Sequence, residues 1–188
     1  MTLFFNQPAP LPPERIPRLP AMPRVSDEVL GRLARCTSGS LTTQLYIKGL
    51  RQPVLHGLTP LNPRHQPFAG RACTMRFIPA REDIDRYANL TTEPSAENLQ
   101  WVGVEQVEPG DVLVIDSNRD GRAASMGSML ITRMMMRGAR AVVTDGSFRD
   151  GRDLAAMDFP VWCTGITNTT LELSRVGPLC SSPASTLQ

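Results

Sequence analysis

The stretch DVLVIDSNRDGRAASMGSMLITRMMMRGARAVVTDGSFRD, residues 111–150, decides the fold. Asp111 to Asp116 is a short apolar run with acidic ends, which is typical of a buried parallel strand. Ser128 to Arg137 follows as a predicted helix, and Ala141 to Thr144 as a second strand. Because two strands joined by such a helix run parallel, this β-α-β unit predicts an α/β protein.

The two loops of this unit are expected to face each other. A right-handed crossover brings the carboxyl ends of both strands to one edge of the sheet, where open α/β proteins bind ligands. The loops that meet there are Ser117 to Gly127 and Asp145 to Asp150. Gly127 permits a close approach of the backbone to a ligand, and Gly138 fits the left-handed residue that ends a helix.

The residues of this edge favour an anion beside a divalent cation. Gly127 to Leu130, in the first turn of the predicted helix, offers unpaired backbone N–H groups and the positive end of the helix dipole. Arg149 adds a planar fork that matches a carboxylate or phosphate, and Asp150 is a hard oxygen ligand that Mg²⁺ takes singly. These features indicate a small oxyacid chelated by a divalent ion. The same two side chains are also typical of an ion pair in a solvated turn.

Composition predicts one globular domain with a real core. The chain has 188 residues, of which 41% are apolar. Its net charge of +2 and 20% charged residues predict neither nucleic-acid binding nor membrane attachment. The four cysteines lie far apart without a CxxC pair, so reduced thiols in a cytoplasmic protein are expected. They are Cys36, Cys73, Cys163 and Cys180.

The segments around the central unit divide the chain into three parts. Residues 1–24 are predicted to be a proline-rich N-terminal arm, either a disordered tail or a segment that packs on a neighbouring subunit. Residues 25–163 are the predicted domain, and residues 164–188 an irregular C-terminal tail without a recognisable strand. Within the domain, Arg81 to Gln100 is polar, acidic and interrupted by Pro94, as expected of a surface insertion or lid.

Further elements are predicted from capping residues and periodicity. Helices are expected at Asp27 to Arg35, after the capping residue Ser26, and at Leu41 to Lys48. Alternation of residue types from Ala72 to Pro79 predicts a strand with one face buried, and a second strand is expected within Asp158 to Cys163.

Several motifs together resemble the RraA-like family. They are GLTPLNP (57–63), GRACTMRFIPARED (70–83), EPGDVLVID (108–116), AASMGSMLITRMMMRGARAVVTDGSFRD (123–150) and MDFPVW (157–162). The family includes class II pyruvate aldolases that act on 4-hydroxy-4-methyl-2-oxoglutarate or 4-carboxy-4-hydroxy-2-oxoadipate, and proteins named as regulators of ribonuclease E activity. The resemblance covers roughly Val25 to Cys163, and its most specific part is the glycine loop followed by DGxxRD.

The resemblance implies a swivelling β/β/α domain that forms a homotrimer or hexamer, with the active site at a subunit interface. It implies that Arg149 binds the pyruvyl group as the catalytic arginine and that Asp150 anchors Mg²⁺ or Mn²⁺. The backbone amides expected to hold the substrate carboxylate are those of Gly127, Ser128, Met129 and Leu130.

The implied reaction splits a 4-hydroxy-2-oxo acid into pyruvate and a second oxo acid, with oxaloacetate decarboxylation as a possible side activity. A water bound by the metal or by the loops would carry the proton of the 4-hydroxyl group. Two alternatives remain open: a non-catalytic regulator that binds a ribonuclease, and an inactive truncated paralogue.

Two departures from the family pattern bear on activity. Ser128 stands where the family usually has Asp, which removes a carboxylate that could order water or metal contacts. Relatives also continue beyond the DFPVW motif with further strands, which residues 164–188 do not resemble, so those C-terminal strands are expected to be missing.

Overall fold

Helices and strands alternate along the chain in the computed structural model, which describes residues 25–63, 67–79, 98–169 and 174–176. The helices are α1 (Asp27–Ala34), α2 (Ser38–Ile47), α3 (Leu99–Gln106), α4 (Ser128–Met136) and α5 (Gly151–Ala156). The strands are β1 (Thr59–Pro60), β2 (Arg71–Pro79), β3 (Asp111–Asp116), β4 (Ala141–Thr144), β5 (Ser147–Phe148), β6 (Val161–Cys163), β7 (Gly165–Ile166) and β8 (Ser174–Val176).

A mixed sheet of six strands, in the order β1-β6-β4-β3-β2-β8, forms the centre of the described part of the protein. β2, β3, β4 and β6 run parallel to their neighbours among these four, whereas β1 and β8 are antiparallel strands at the two edges. The α/β fold and the parallel β3-α4-β4 unit predicted from the sequence are therefore confirmed. Ile115 pairs with Thr144, so β3 and β4 end side by side.

The main core lies between this sheet and the crossover helices. Each of α3, α4 and α5 connects two successive parallel strands, and α3 and α5 both contact α4. A right-handed connection places all three helices on one face of the sheet. Burial of each large apolar side chain there contributes about 1.5–3 kcal/mol. Fully buried members include Met75, Val104, Leu113, Ile131, Met134, Phe148 and Leu154.

The opposite face of the sheet carries a smaller apolar cluster. Val112, Ala141 and Val143 are buried there, and Phe68 and Trp162 pack against them. Because successive strand residues point to opposite faces, the neighbours of these residues, such as Leu113 and Val142, belong to the main core. Both faces of the central strands are therefore covered, which explains why their sequences are apolar throughout.

An ion pair joins the amino ends of β2 and β3. Arg71 donates from Nε to Oδ1 of Asp111 (2.9 Å) and from Nη2 to Oδ2 (2.8 Å), and Asp111 is buried. Nη2 of Arg71 also donates to Glu108 (2.7 Å). The hydrogen bond to Asp111 raises the pKa of the Arg71 guanidinium above its already high ordinary value. Arg71 lies opposite Asp111 in the ladder, so the bidentate contact supports the register of the two strands.

Helices α1 and α2 precede the sheet and contribute little to the core. Ser26 caps α1 by accepting a hydrogen bond from Val29 N (3.3 Å), and Thr37 caps α2 by accepting one from Ser40 N (3.2 Å). Leu30 is the buried residue of α1, whereas α2 buries none of its residues. None of the helices in the described ranges is long and apolar enough to cross a bilayer.

Two predictions need correction. α3 was not expected, and it includes Leu99 and Gln100 from the predicted surface insertion; the side chain of Gln100 is buried. Strands β7 and β8 lie beyond Thr164, where no strand was recognised, because two or three residues are too few to show alternation. The predicted arm (1–24), residues 81–97 of the predicted insertion, and residues 170–173 and 177–188 of the predicted tail lie outside the described residues. The domain boundaries stay predictions.

Candidate functional site

The two loops at the carboxyl ends of β3 and β4 are hydrogen-bonded to each other. Ser125 N donates to the carbonyl oxygen of Ser147 (2.8 Å), and Arg149 N donates to that of Met126 (3.0 Å). A further bridge pairs Ala124 with Ser147. The prediction that these loops face each other is confirmed. The contacts place the end of the DGSFRD motif beside the start of α4.

Gly127 lies directly against the charged side chains of Arg149 and Asp150. It is the buried N-cap residue of α4 and has an extended backbone. A Cβ atom added to it would lie 2.6 Å from Arg149 Nε and 2.6 Å from Asp150 Oδ2. A side chain at this position would therefore collide with both groups, so the absence of one is what allows the close approach.

The Asp150 carboxylate points at the N-terminus of α4. Its Oδ2 accepts hydrogen bonds from Ser128 N (2.9 Å) and Ser128 Oγ (3.1 Å). The backbone of Asp150 is left-handed (φ 59°, ψ 38°), a conformation that Asp tolerates better than most residues. The positive end of the α4 dipole stabilises the carboxylate in this position.

The Arg149 guanidinium lies beside this carboxylate and is partly exposed. Its Nε is 3.9 Å from Asp150 Oδ2, which is too long for a hydrogen bond. Within the described ranges, no side-chain hydrogen bond engages its fork. With 36% of its side chain exposed, Arg149 can offer this fork to a planar anion.

The four predicted amide donors do not contribute equally. The N–H of Ser128 is committed to Asp150, whereas those of Met129 and Leu130 have no acceptor among the described residues. The side chain of Met129 is exposed, and that of Leu130 packs in the core. Hence Met129 and Leu130 can bind a ligand here only through the backbone at the start of α4.

Asp150 supplies a single hard oxygen for a divalent metal. The described part of the chain contains no group of three His, Cys, Asp or Glu side chains that could hold an ion. Oδ2 is used by Ser128, so Oδ1 is the oxygen available to a cation. This donor set fits Mg²⁺ or Mn²⁺, which bind through one carboxylate and complete their shell with water or substrate oxygens. It does not fit zinc, which requires three or four protein ligands.

A buried cluster of three hydroxyl groups supports the same edge and was not predicted. Ser117 Oγ lies 2.8 Å from Ser125 Oγ and 3.2 Å from Thr144 Oγ1, and the last two atoms are 3.3 Å apart. Gln100 Nε2 donates to the carbonyl oxygen of Ser125. The signal available in the sequence was the position of Ser117 and Thr144 immediately at the ends of β3 and β4.

The loop after β3 is held by a second carboxylate. Asp145 accepts hydrogen bonds from Ser117 N (2.6 Å) and Arg119 N (3.0 Å). Asn118 and Arg119 both have left-handed backbones. Further along the loop, hydrogen bonds from Arg122 lower the pKa of Asp120 to about 2. These contacts fix the shape of the loop that leads to Gly127.

Comparisons with known proteins were consistent with the sequence resemblance. A family profile described as RraA-like (Aldolase/RraA) matches residues 23–178. A Halalkalibacterium halodurans protein with the provisional name 4-hydroxy-4-methyl-2-oxoglutarate aldolase is 30% identical over 114 residues, covering 50% of this chain and 54% of that protein. Protein DlpA of Legionella pneumophila is 25% identical over 159 residues, covering 84% of this chain and 23% of DlpA.

Solved structures show a similar fold. The crystal structure of Streptomyces coelicolor RraAS2, described as an unusual member of the RNase ES inhibitor RraA protein family, has a TM-score of 0.68 and 29% identity. The match covers 83% of this chain and 71% of RraAS2. An uncharacterized Pseudomonas syringae protein, at 17% identity and a TM-score of 0.62, shows the fold alone. The chain spans only 54% of the length of the aldolase relative and 23% of DlpA.

Proposed function

Since the chain belongs to the RraA-like family, whose profile spans residues 23–178, we propose that it is a divalent-metal-dependent lyase. It cleaves a 4-hydroxy-2-oxo acid into pyruvate and a second oxo acid. The observation that carries this proposal is the convergence of Arg149 and Asp150 on the backbone of Gly127. The name of the Halalkalibacterium halodurans relative supports the reaction class.

In this proposal, the residues at the carboxyl ends of β3 and β4 each bind a different part of the substrate. Arg149 binds the 2-oxo and carboxylate oxygens, and the amides of Met129 and Leu130 bind the carboxylate from the other side. The Asp150 carboxylate would hold Mg²⁺ or Mn²⁺, and the bound ion would supply Lewis acidity to the site. The positive charge of Arg149 offsets the negative charge that develops on the same oxygens.

The bond that breaks joins C3 and C4 of the substrate. Its electron pair moves to C3 and forms the enolate of pyruvate, while the 4-hydroxyl loses its proton and becomes the carbonyl group of the second product. We assign the proton to a water held between the two loops. Protonation of the enolate at C3 completes pyruvate. Loss of carbon dioxide from oxaloacetate would generate the same enolate, which explains the expected side activity.

The test is pyruvate release from a panel of 4-hydroxy-2-oxo acids and oxaloacetate, measured with lactate dehydrogenase and NADH, with and without Mg²⁺. We expect a chelator, Arg149→Ala and Asp150→Ala each to abolish the release. Arg152→Ala and Asp153→Ala are matched controls, because both residues are exposed neighbours on α5. Release that persists in Asp150→Ala, or equal losses in the control variants, would refute the assignment of the site.

A second candidate is a non-catalytic regulator of a ribonuclease, which the similarity to RraAS2 favours. Such a protein needs an interaction surface and no metal. It would inhibit a purified ribonuclease of the E type equally well as wild type, as Asp150→Ala and in the presence of a chelator. Failure of both assays with a well-folded protein would favour the third reading, an inactive paralogue. Circular dichroism and sizing establish whether the chain is folded.

A further inference from the structure

Ser128 makes two hydrogen bonds to one oxygen of the proposed metal ligand. Its backbone N–H and its hydroxyl group both donate to Asp150 Oδ2, at 2.9 and 3.1 Å. Two donors from one residue hold the carboxylate against rotation about its terminal torsion, which is otherwise broad. Oδ2 is thereby turned toward α4, and Oδ1 remains as the oxygen that a cation can reach.

The remaining contacts of the Asp150 carboxylate are not hydrogen bonds and orient it less strictly. Its left-handed backbone is a conformation that L residues adopt rarely, and its side chain makes no capping hydrogen bond to α5. Arg149 Nε lies 3.9 Å away and makes no hydrogen bond to it. Among the described residues, the side-chain hydrogen bonds of the carboxylate come from Ser128 alone.

Resting on the lyase function above, we propose that Ser128 is a positioning residue for the metal-binding carboxylate of Asp150. An Asp at position 128 would place a second negative charge beside Asp150. Ser128 instead donates to Asp150 and fixes which of its oxygens faces the cation. Ser128 therefore orients the metal-binding carboxylate without adding a negative charge to the site.

A substitution of Ser128 can remove its hydroxyl donor but not its backbone N–H donor, so the variants test the hydroxyl group. Ser128→Ala keeps the backbone donor and deletes the 3.1 Å contact, whereas Ser128→Thr keeps both donors. Ser38→Ala is the matched control, because Ser38 is likewise the first residue of a helix, α2, and is exposed. Ser128→Gly removes the hydroxyl group in a second way, in case the alanine variant is poorly folded.

The experiment titrates the full-length protein with Mn²⁺ and follows free Mn²⁺ by electron paramagnetic resonance. We expect the dissociation constant to rise roughly tenfold in Ser128→Ala and Ser128→Gly, as for other residues that orient a metal ligand. Ser128→Thr and Ser38→Ala should bind as the wild type does. At saturating Mn²⁺ the turnover rate of Ser128→Ala should fall much less than its Mn²⁺ affinity.

The outcomes of the Mn²⁺ titration test the positioning role of Ser128 and the metal-dependent function separately. If the wild type binds Mn²⁺ and Ser128→Ala binds it equally well, the positioning role is wrong and the lyase proposal stands. If Ser128→Thr loses as much affinity as Ser128→Ala, the hydroxyl group is not the cause, and the proposal also fails. If the wild type binds no Mn²⁺, the metal-dependent function fails and the role of Ser128 fails with it.

Discussion

Adding a single carbon at Gly127 should reduce catalysis while leaving the fold intact. In Gly127→Ala the new Cβ would lie 2.6 Å from both Arg149 Nε and Asp150 Oδ2, so these two charged ends must move apart. Displacements of about 1 Å in a catalytic group can reduce rates about 100-fold. We expect a loss of that size in kcat/KM for pyruvate release, with the circular dichroism spectrum unchanged.

The control for this variant is Gly39→Ala, because Gly39 lies in α2 with no atom near the position of an added Cβ. An alanine there should leave activity intact and stabilise the helix by up to about 1 kcal/mol. Full activity in Gly127→Ala would mean that the close approach of Arg149 and Asp150 is not needed for the reaction.

The cysteines should differ sharply in reactivity. Burial raises the pKa of Cys73 to about 11, so very little of its thiolate is present at pH 8, and burial also raises the pKa of Cys163. Cys36 is exposed. Iodoacetamide at pH 8 should therefore modify Cys36 in the native protein, but Cys73 and Cys163 only after denaturation. Peptide mass spectrometry provides the measurement. Rapid native labelling of the partly buried Cys73 would show that its surroundings do not protect the thiol.

Some contacts of the site could be predicted from the sequence, and others could not. Arg149, Asp150 and Gly127 were predicted to meet because strand ends and loop order constrain them, and they do lie together. Their chemical roles stay predictions. The contact between Ser128 and Asp150 could not be foreseen, because it depends on the left-handed backbone of Asp150, for which no local pattern is diagnostic.

At the scale of elements, α3 and α4 are joined by a surface network that should respond to pH. Glu105 accepts hydrogen bonds from Arg133 Nε (2.7 Å) and Arg137 Nη1 (3.0 Å). The hydrogen bond from Arg133 is the main cause that lowers the pKa of Glu105. A lowered folded-state pKa contributes stability above the unfolded-state pKa, and this contribution is lost as pH falls through the folded-state value.

Glu105→Gln should therefore lower the free energy of unfolding at pH 7 by less than about 1 kcal/mol, since the side chains of Glu105 and Arg133 are 41% and 45% exposed. The difference from the wild type should shrink at pH values below the ordinary glutamate range. Urea unfolding of both proteins at neutral and acidic pH measures it. An equal difference at both pH values would show that the charge of Glu105 is not responsible.

Elements with a clear period or cap were predicted, and those without one were not. β3, β4, α1 and α4 were placed within one or two residues, because apolar runs and capping residues mark them. α3 was missed because two of its buried residues, Gln100 and Gly103, are not apolar side chains, so the sequence shows no apolar stripe at helical spacing. The edge strands β1 and β8 depend on pairing with distant segments, which local patterns do not reveal.

For the whole molecule, the sheet order could be predicted only in its centre. The parallel neighbours β3 and β4 follow from one crossover, and the right-handed rule fixes its sense. The complete order requires β6 beside β4 and β2 beside β3, which results from packing of three helices on one face. The resemblance to the RraA-like family implied the type of fold, which the local patterns could not. The profile match confirms the family.

Exposed apolar side chains at the end of α2 and just after it predict self-association. α2 buries no residue, and the segment that ends it and follows it exposes Tyr46 (65%), Ile47 (70%) and Leu55 (63%). Exposed apolar side chains concentrated in one segment mark contact surfaces. We therefore propose a homotrimer or hexamer that covers this segment, and expect light scattering after gel filtration to give a multiple of the 20.7 kDa chain mass.

Ile47→Glu should then dissociate the oligomer, because a charge buried at a subunit contact without a partner is strongly unfavourable. Gln52→Glu places the same charge on the same segment at an exposed polar position and should leave the mass unchanged. If activity falls together with the oligomer in Ile47→Glu while the monomer remains folded, a neighbouring subunit is needed to complete the site. A wild-type chain that is monomeric at micromolar concentration would instead require another partner for this surface, and the ribonuclease-binding alternative would then gain support.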